Sequence, residues 1–515
     1  MNYEDNLNNK LKKTYDTIII GGGPAGLAAA IRCWQLGIKD ILVVERDSYP
    51  GGILPQCIHG GFGLKVFNRE LTGPEYSRIF IDKLKNTGAE VMLNTMALSI
   101  KIQSSHKSGI FGLKADSAGL KAGSHGPKAD ITSNQTEGLQ TVKQEIQTVK
   151  QEIQTGEHGS NTGRQGLQKG ERRSAAGTSG PAFGITVAGK KTGFKVFYSK
   201  SVILALGCRE RTRGQIMIPG ARPAGVFTAG LAQRMVNIEG YLPGKEIVIL
   251  GSGDIGLIMA RRLTLEGCKV KGVFELMPFS TGLLRNISQC LEDYDIPLYL
   301  SHIVTNIIGG KRLEAVQVCM VDSTLKPVLS SARTIKCDTL LLSVGLIPEN
   351  ELAKTCGIIL DKNTGGPAVD EDFQTSVPGI FSCGNSLFVY DLVDNVTEDG
   401  YKAAENAALY LVAQDFGKKA AINVHQDNLI DIIAGENAAY AVPQKISGKK
   451  DVDFKIRAKV PLKNATVELS GTTFKKKFKY VNPGEMLFIN MRNDFVSKGI
   501  LPKDIIINIR GDRPA

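Results

Sequence analysis

The stretch "YDTIIIGGGPAGLAAAIRCWQLG", Tyr15 to Gly37, decides the fold. An apolar, strand-like run gives way to Gly21-Gly22-Gly23-Pro24-Ala25-Gly26 and then to a helix-period segment. The next strand, "DILVVER" (Asp40 to Arg46), completes a βαβ unit and ends on Glu45 and Arg46. In a G-x-G-x-x-G turn, Gly21 permits the tight exit from the strand, Gly23 lets the backbone approach a pyrophosphate, and Gly26 allows close helix–strand packing. The helix N-terminus supplies free N–H groups and the positive end of its dipole. Glu45 lies where a carboxylate would accept bonds from a ribose.

The same arrangement returns at "KEIVILGSGDIGLIMARRLTLEGCKVKGVFEL", Lys245 to Leu276. Its turn is Gly251-Ser252-Gly253-Asp254-Ile255-Gly256, and Glu275 closes the following strand. An acid there favours the free 2′-hydroxyl of NAD(H) over the 2′-phosphate of NADP(H). Two dinucleotide motifs in one chain imply two cofactors, and a bound flavin is the usual partner of a nicotinamide.

A chain of 515 residues, 42% apolar and 22% charged, is a globular protein of several domains. Its nine cysteines show no C-x-x-C pair and no metal-ligand spacing, the pattern of reduced thiols in a cytoplasmic protein. The N-terminal "MNYEDNLNNKLKKTYD" reads as neither a signal peptide nor a membrane span. The net charge of +12 is uneven: from Gln444 onward there are 16 Lys/Arg and 7 Asp/Glu, a balance of +9. The run "FKKKFKY" (Phe474 to Tyr480) is expected to be a solvated strand face, with nucleic acid the less favoured partner. Alternation in "VDFKIRAKV" puts Val452, Phe454, Ile456, Ala458 and Val460 on one face of a strand.

Residues 104–183 break the pattern with seven-residue repeats ("GLKADSA", "GLKAGSH", "GPKADIT") and the heptads "TVKQEIQTVKQEIQT". Val142, Ile146, Val149 and Ile153 follow a coiled-coil spacing, but two heptads are too few to sustain one. The segment reads as a largely disordered insertion, with at most a transient helix.

Further motifs make the chain resemble the pyridine nucleotide-disulfide oxidoreductase superfamily of two-dinucleotide-binding-domain flavoproteins. "VILALGCRE" resembles the strand that usually ends Ala-Thr-Gly, "LLLSVGLIPEN" a later strand, and "GIFSCGN" the segment that normally ends Gly-Asp. "GGILPQCIHGGFGLKVFNRELTGPEY" and "CGNSLFVYDLVDNVTEDG" are similar to bacterial FAD/NAD(P)-dependent oxidoreductases that accompany a glycerol-3-phosphate dehydrogenase-like protein. They are also similar to the larger subunits of proline dehydrogenase, opine oxidase and hydrogen cyanide synthase. The resemblance implies an α/β fold of two Rossmann-like, three-layer ββα domains, with the NAD domain inserted in the FAD domain. The expected division is an FAD domain at 15–103, 184–235 and 346–435, an NAD(P) domain at 236–345, and a basic β-rich domain at 444–515. FAD would contact Gly21, Gly23, Pro24, Ala25, Gly26, Glu45, Arg46, Gly52, Gly207, Gly384, Asn385 and Thr397. NAD would contact Gly251, Gly253, Asp254, Ile255, Gly256, Glu275 and Gly345. The helix expected from Thr397 to about Ala413 would aim its N-terminus at the flavin, with Thr397 reading equally as an N-cap.

The loop after the first unit, "GGILPQCIHGGFG" (Gly51 to Gly63), holds the candidate catalytic residues, Cys57 and His59. Disulfide reduction needs a second thiol, and none lies nearby in sequence. Cys57 could act alone if His59 held it as a thiolate; otherwise the loop is a glycine-rich wall for the flavin. The implied function is hydride transfer between NADH and FAD, with electrons exchanged with a partner flavoprotein or small acceptor in a hetero- or homo-oligomer. An FAD-dependent amine or amino-acid dehydrogenase using Arg209, Arg211 and Arg213 as a carboxylate clamp is the alternative, as is a flavin-bound RNA- or protein-interaction subunit.

Overall fold

The computed structural model describes residues 11–103, 139–148, 182–415, 429–492 and 503–513. Thr14–Ile20 is an inner strand of a seven-stranded sheet, with Ile41–Val44 and Gly193–Leu204 parallel on either side. Ile18, Ile19 and Ile20 are all buried, because helices or strands cover both faces; hence the apolar run does not alternate. Gly193–Leu204 serves two layers. Its later residues pair in parallel with Thr14–Ile20 and Ile380–Ser382, and its earlier ones pair antiparallel with Phe183–Gly189. Thr95–Ile102 completes that antiparallel layer.

Helices Pro24–Gln35 and Val393–Asp415 pack on the other face. They cross closely: a Cβ on Gly400 would stand 2.3 Å from the carbonyl oxygen of Ala25. Ala403, Ala404 and Ala407, all fully buried, continue this small-residue seam. The long helix starts at Val393, four residues before the start expected at Thr397. Thr397 is therefore inside the helix and not its N-cap. Its hydroxyl is buried against the Tyr76 hydroxyl at 2.8 Å.

The second unit is a five-stranded parallel sheet in the order Leu298–Tyr299, Lys269–Phe274, Glu246–Leu250, Thr339–Leu342, Val226–Thr228. An antiparallel trio, His302–Gly309, Leu313–Met320 and Arg333–Lys336, lies beside it. The arrangement is the doubled Rossmann-like α/β fold that the motifs imply.

The chain ends in a β-sandwich of a five-stranded and a three-stranded sheet. Val452, Phe454, Ile456 and Ala458 all face its core, and Val460 packs at the margin, as the alternation predicts. Ile430–Ala434 and Ala438–Val442 already belong to these sheets, ahead of the boundary expected at 444. Pro443 reads as a break in sequence, yet strand pairing precedes it as well as follows it.

Residues 139–148 of the insertion are helical. Ile146 is buried and Val142 half-buried against the core of the first unit, so this stretch is a docked amphipathic helix and not a featureless loop. Val149 and Ile153, which would continue the heptads, lie outside the described residues. Among the described residues no helix is long and apolar enough to cross a membrane.

Candidate functional site

At the first turn, Gly21 adopts φ +109°, and a Cβ there would meet the Ala205 carbonyl oxygen at 2.2 Å. A Cβ on Gly26 would stand 1.9 Å from the Gly21 carbonyl oxygen, so helix and strand touch through backbone alone. Gly23, by contrast, faces space: only the Gly52 Cα, at 3.9 Å, lies within reach of its Cβ position. This is a cradle that a side chain would fill, at an uncapped helix start with Pro24 in its first turn. Glu45 is buried at its rim, accepting from Gly22 N at 2.6 Å and from Asp47 N at 2.8 Å.

Gly207, Gly384 and Asn385, far along the chain, gather beside the same turn. A Cβ on Gly384 would touch the Ala25 Cβ at 2.9 Å. Asn385 directs its amide toward Cys208 Sγ, 3.6 Å away, and its carbonyl accepts from Tyr390 N. Gly207, next to Cys208, has φ +73° and open space where its Cβ would be. Arg46 is exposed and stands 3.7 Å from Glu349. Thr397 is turned away toward Tyr76. Sequence reasoning missed Asp394, which accepts from Gly63 N and Val66 N and so ties the start of the long helix to the glycine loop. Its only sequence signal is an acid in a first helical turn, which reads as ordinary dipole compensation.

The second turn repeats the first. Gly251 has φ +99°, and its Cβ would lie 2.0 Å from the Ser343 carbonyl oxygen. Gly253 keeps room, its nearest neighbour being Ser343 Oγ at 3.6 Å. Buried Glu275 accepts from Ser252 N at 2.8 Å, Ser252 Oγ at 2.6 Å and Met277 N at 3.0 Å. Asp254 accepts from Leu283 N and Asn286 Nδ2, so it anchors the segment that follows Glu275. Ile255 packs toward the core of this unit. Gly345, at φ +97°, accepts through its carbonyl from Arg211 N.

The two candidate catalytic side chains do not form a pair. Cys57 is buried, its thiol directed to Ile53 O at 3.5 Å and Gln233 Oε1 at 3.6 Å. Burial pushes its pKa up to about 12, so it is a protonated thiol. His59 bonds Gly60 O through Nδ1 and lies against Phe62, and burial lowers its pKa. The thiolate–imidazole arrangement that the sequence left open is thus absent: the two groups engage different partners. All nine cysteines are free thiols. Two of the three arginines offered as a carboxylate clamp are engaged within the chain. Arg209 pairs with Glu349 and Glu351, and Arg213 donates to the carbonyls of Ile218, Gly220 and Ala221.

The loop also docks the two units together. Gln56 donates to Gly230 O at 2.9 Å, and Asn237 donates to Gln56 O at 2.8 Å. Helix Ala229–Asn237 thereby seats the second unit on the Cys57 segment.

Among curated proteins, the chain is 22% identical to an opine oxidase subunit of Agrobacterium tumefaciens over 387 residues, 73% of this chain and 62% of that one. It is 29% identical over 172 residues to hydrogen cyanide synthase subunit HcnB of Pseudomonas aeruginosa, covering 30% of this chain and 36% of that one. It is 30% identical over 155 residues to an NADH oxidase of Methanocaldococcus jannaschii, covering 29% and 31%. The chain thus spans less than two-thirds of each of these relatives. In fold it is similar to T. acidophilum thioredoxin reductase, with a TM-score of 0.51 at 19% identity over 77% of this chain and 99% of that one. The sequence pattern of one family matches residues 15–409, a span holding both glycine turns and both acids. The chain belongs to that family, the pyridine nucleotide-disulphide oxidoreductases.

Proposed function

We propose that this chain is an FAD-dependent NAD(P)H oxidoreductase that moves a hydride between NADH and FAD and has no dithiol centre. The observation that carries the reading is the duplicated turn: each has an open glycine at a helix start and a buried acid fixed on the turn's own N–H. The first turn, with Gly207, Gly384 and Asn385 at its rim, would hold FAD; the second, with Gly345, would hold the nicotinamide dinucleotide. Bound FAD would supply the acceptor for one hydride and pass its two electrons on singly or as a pair.

The chain's own residues bind, orient and exclude water. Glu45 and Glu275 keep acceptor capacity toward a ribose, since each carboxylate oxygen has two lone pairs. Glu275 would repel a 2′-phosphate, which supports NADH over NADPH. The raised pKa of Cys57 supports a bystander thiol. Electrons would leave to a partner flavoprotein, of the glycerol-3-phosphate dehydrogenase-like kind, or to a small acceptor in the cytoplasm. Similarity to a protein named as a subunit supports such a complex.

Anaerobic titration of the purified protein with NADH, and separately with dithionite, tests this. Bleaching of the flavin absorbance by about one NADH per FAD is expected. Bleaching by dithionite alone would remove the second turn as a hydride-donor site. Uptake of a second reducing equivalent would restore a redox thiol.

A further inference from the structure

A cavity of about 290 Å³ lies between the first half of helix Val393–Asp415 and the C-terminal sandwich, and none of the residues of the two glycine turns lines it. That size is at the low end for small-molecule sites. Its walls come from three separate parts of the chain. Lys65 reaches in from the glycine loop, Glu398, Asp399 and Lys402 from the helix, and Asp453, Lys455, Lys476 and Phe488 from the sandwich.

The charge of these walls is unbalanced: the ammonium groups of Lys65, Lys402, Lys455 and Lys476 stand against the three carboxylates of Glu398, Asp399 and Asp453. Asp399 is engaged by Tyr390 OH at 2.5 Å and Lys455 Nζ at 2.6 Å. Asp453 is engaged by Lys402 Nζ at 2.6 Å and Asn490 Nδ2 at 2.7 Å. Glu398 holds Lys65 at 2.5 Å. An ammonium, however, has three N–H donors. Lys402 and Lys455 each give one to a carboxylate, Lys65 gives two to Glu398 and Asn395, and Lys476 gives one to Phe488 O at 3.2 Å. The cavity therefore keeps one net positive charge, carried by ammonium groups that still have unused N–H donors.

Depth and approach agree with this. Lys455 is buried, with its ammonium over the Phe373 ring at 4.4 Å, and a lysine–aspartate pair at that depth adds little net stability. Lys476 belongs to the edge strand Lys475–Val481, whose exposed lysines the oxidoreductase reading leaves without a role. A basic strip at a cavity mouth concentrates anions there. Between Lys476 and Lys65 stands the partly exposed Phe488 ring, 5.8 Å from the Lys65 ammonium, an apolar surface beside two cations.

We propose that this cavity binds a small organic carboxylate, with its anionic group on the spare donors of Lys402, Lys455 and Lys476 and its apolar part against Phe488. Lys65 lies between Gly63 and Val66, whose N–H groups Asp394 holds, so occupancy would be felt in the glycine loop. The proposal does not depend on the flavin reading, and its test needs no NADH.

Calorimetric titration of the full-length protein with acetate, isovalerate and benzoate, at constant ionic strength, is the experiment. Benzamide and inorganic phosphate serve as the neutral and the bare-anion comparators. Saturable binding of at least one carboxylate is expected, with benzamide silent and phosphate weaker. Lys476→Gln, which leaves every acid of the cavity paired, and Lys402→Gln should each weaken binding at least about tenfold. Lys477→Gln removes the same charge from the opposite face of that strand and should change nothing. The proposal is overturned if none of the three carboxylates binds, if benzamide or phosphate binds as well as they do, or if Lys477→Gln weakens binding as much as Lys476→Gln.

Discussion

The two glycine turns are built on one plan but closed differently. In both, a strand-end acid accepts from the turn's second residue and from the residue two places beyond the acid itself. The second residue differs, being Gly22 in one turn and Ser252 in the other. A Cβ on Gly22 would press on Glu45, with contacts of 3.0 to 3.2 Å, so a side chain there would have to displace the acid by a few tenths of an ångström. At Ser252 there is room, and the hydroxyl is put to use: it donates to Glu275 and accepts from Thr281 N at 3.1 Å. The first turn is roofed by the long helix through Gly400, and by the preceding turn through Gly384, both on Ala25. The second is roofed by residues 280–283, on which the sandwich loop at Gly484 leans. A turn backed by a rigid helix relies on steric fit, whereas one roofed by a loop needs an added hydrogen-bonded tie.

The largest effect should come from breaking the steric fit. In Gly26→Ala the new methyl meets a backbone oxygen at 1.9 Å, so the helix must move. A loss of about 3 kcal/mol or more, with loss of bound flavin, is expected. Gly256→Ala meets its nearest atom, the Gly251 carbonyl oxygen, at 2.7 Å; something must still shift, but less far, and the cost should be smaller, about 2 kcal/mol. Thermal unfolding and flavin content of the two variants measure the contrast; equal losses would mean the turns are closed alike.

Next in size is the acid of the second turn. Glu275→Ala leaves two N–H groups and the Ser252 hydroxyl without their acceptor and removes the repulsion of a 2′-phosphate. KM for NADH should rise about tenfold, or about 1.4 kcal/mol, while NADPH loses less. Flavin content should hold in this variant and fall in Glu45→Ala. If both variants lost flavin equally, the assignment of one cofactor to each turn would be wrong.

Exchange of the second residue should have a smaller effect. Ser252→Ala deletes one bond to Glu275 and orphans Thr281 N, a loss of about 1 kcal/mol that should appear in KM for NADH. Gly22→Ser forces Glu45 to give by a few tenths of an ångström and should loosen flavin instead. A null result for Ser252→Ala, in steady-state kinetics with NADH, would remove the tie as the reason for serine.

Both turns, both acids and the parallel sheet around Thr14–Ile20 were legible because glycine spacing and apolar runs are local signals. What stayed hidden depended on partners distant in sequence. Thr397 has the residue type of an N-cap, but Tyr76 claims its hydroxyl. Asp394 matters only because Gly63 and Val66 fold back onto it. Val142 and Ile146 carry a heptad too short to predict a coiled coil, and only the face that they cover explains them. The start of the sandwich at Ile430 was masked by Pro443, since pairing across a proline is invisible in a linear pattern.

The smallest expected effect concerns Cys57, and it separates a redox loop from a wall. The thiol lies between Ile53 O and Gln233 Oε1, and no cation is among its hydrogen-bond partners. Burial disfavours the charged form, so its pKa is pushed up to about 12 and the thiolate is absent at neutral pH. Alkylation of Cys57 by iodoacetamide in the folded protein should therefore stay slow as pH rises through the range where an ordinary thiol ionises. Cys57→Ser keeps a donor at the same place, and NADH oxidation with the best available acceptor should be unchanged. Rapid alkylation at neutral pH, or a collapse of turnover in Cys57→Ser, would give the loop a chemical task. The docking of helix Ala229–Asn237 through Gln56 and Gln233 would then be a device that brings the second unit to a reactive sulfur.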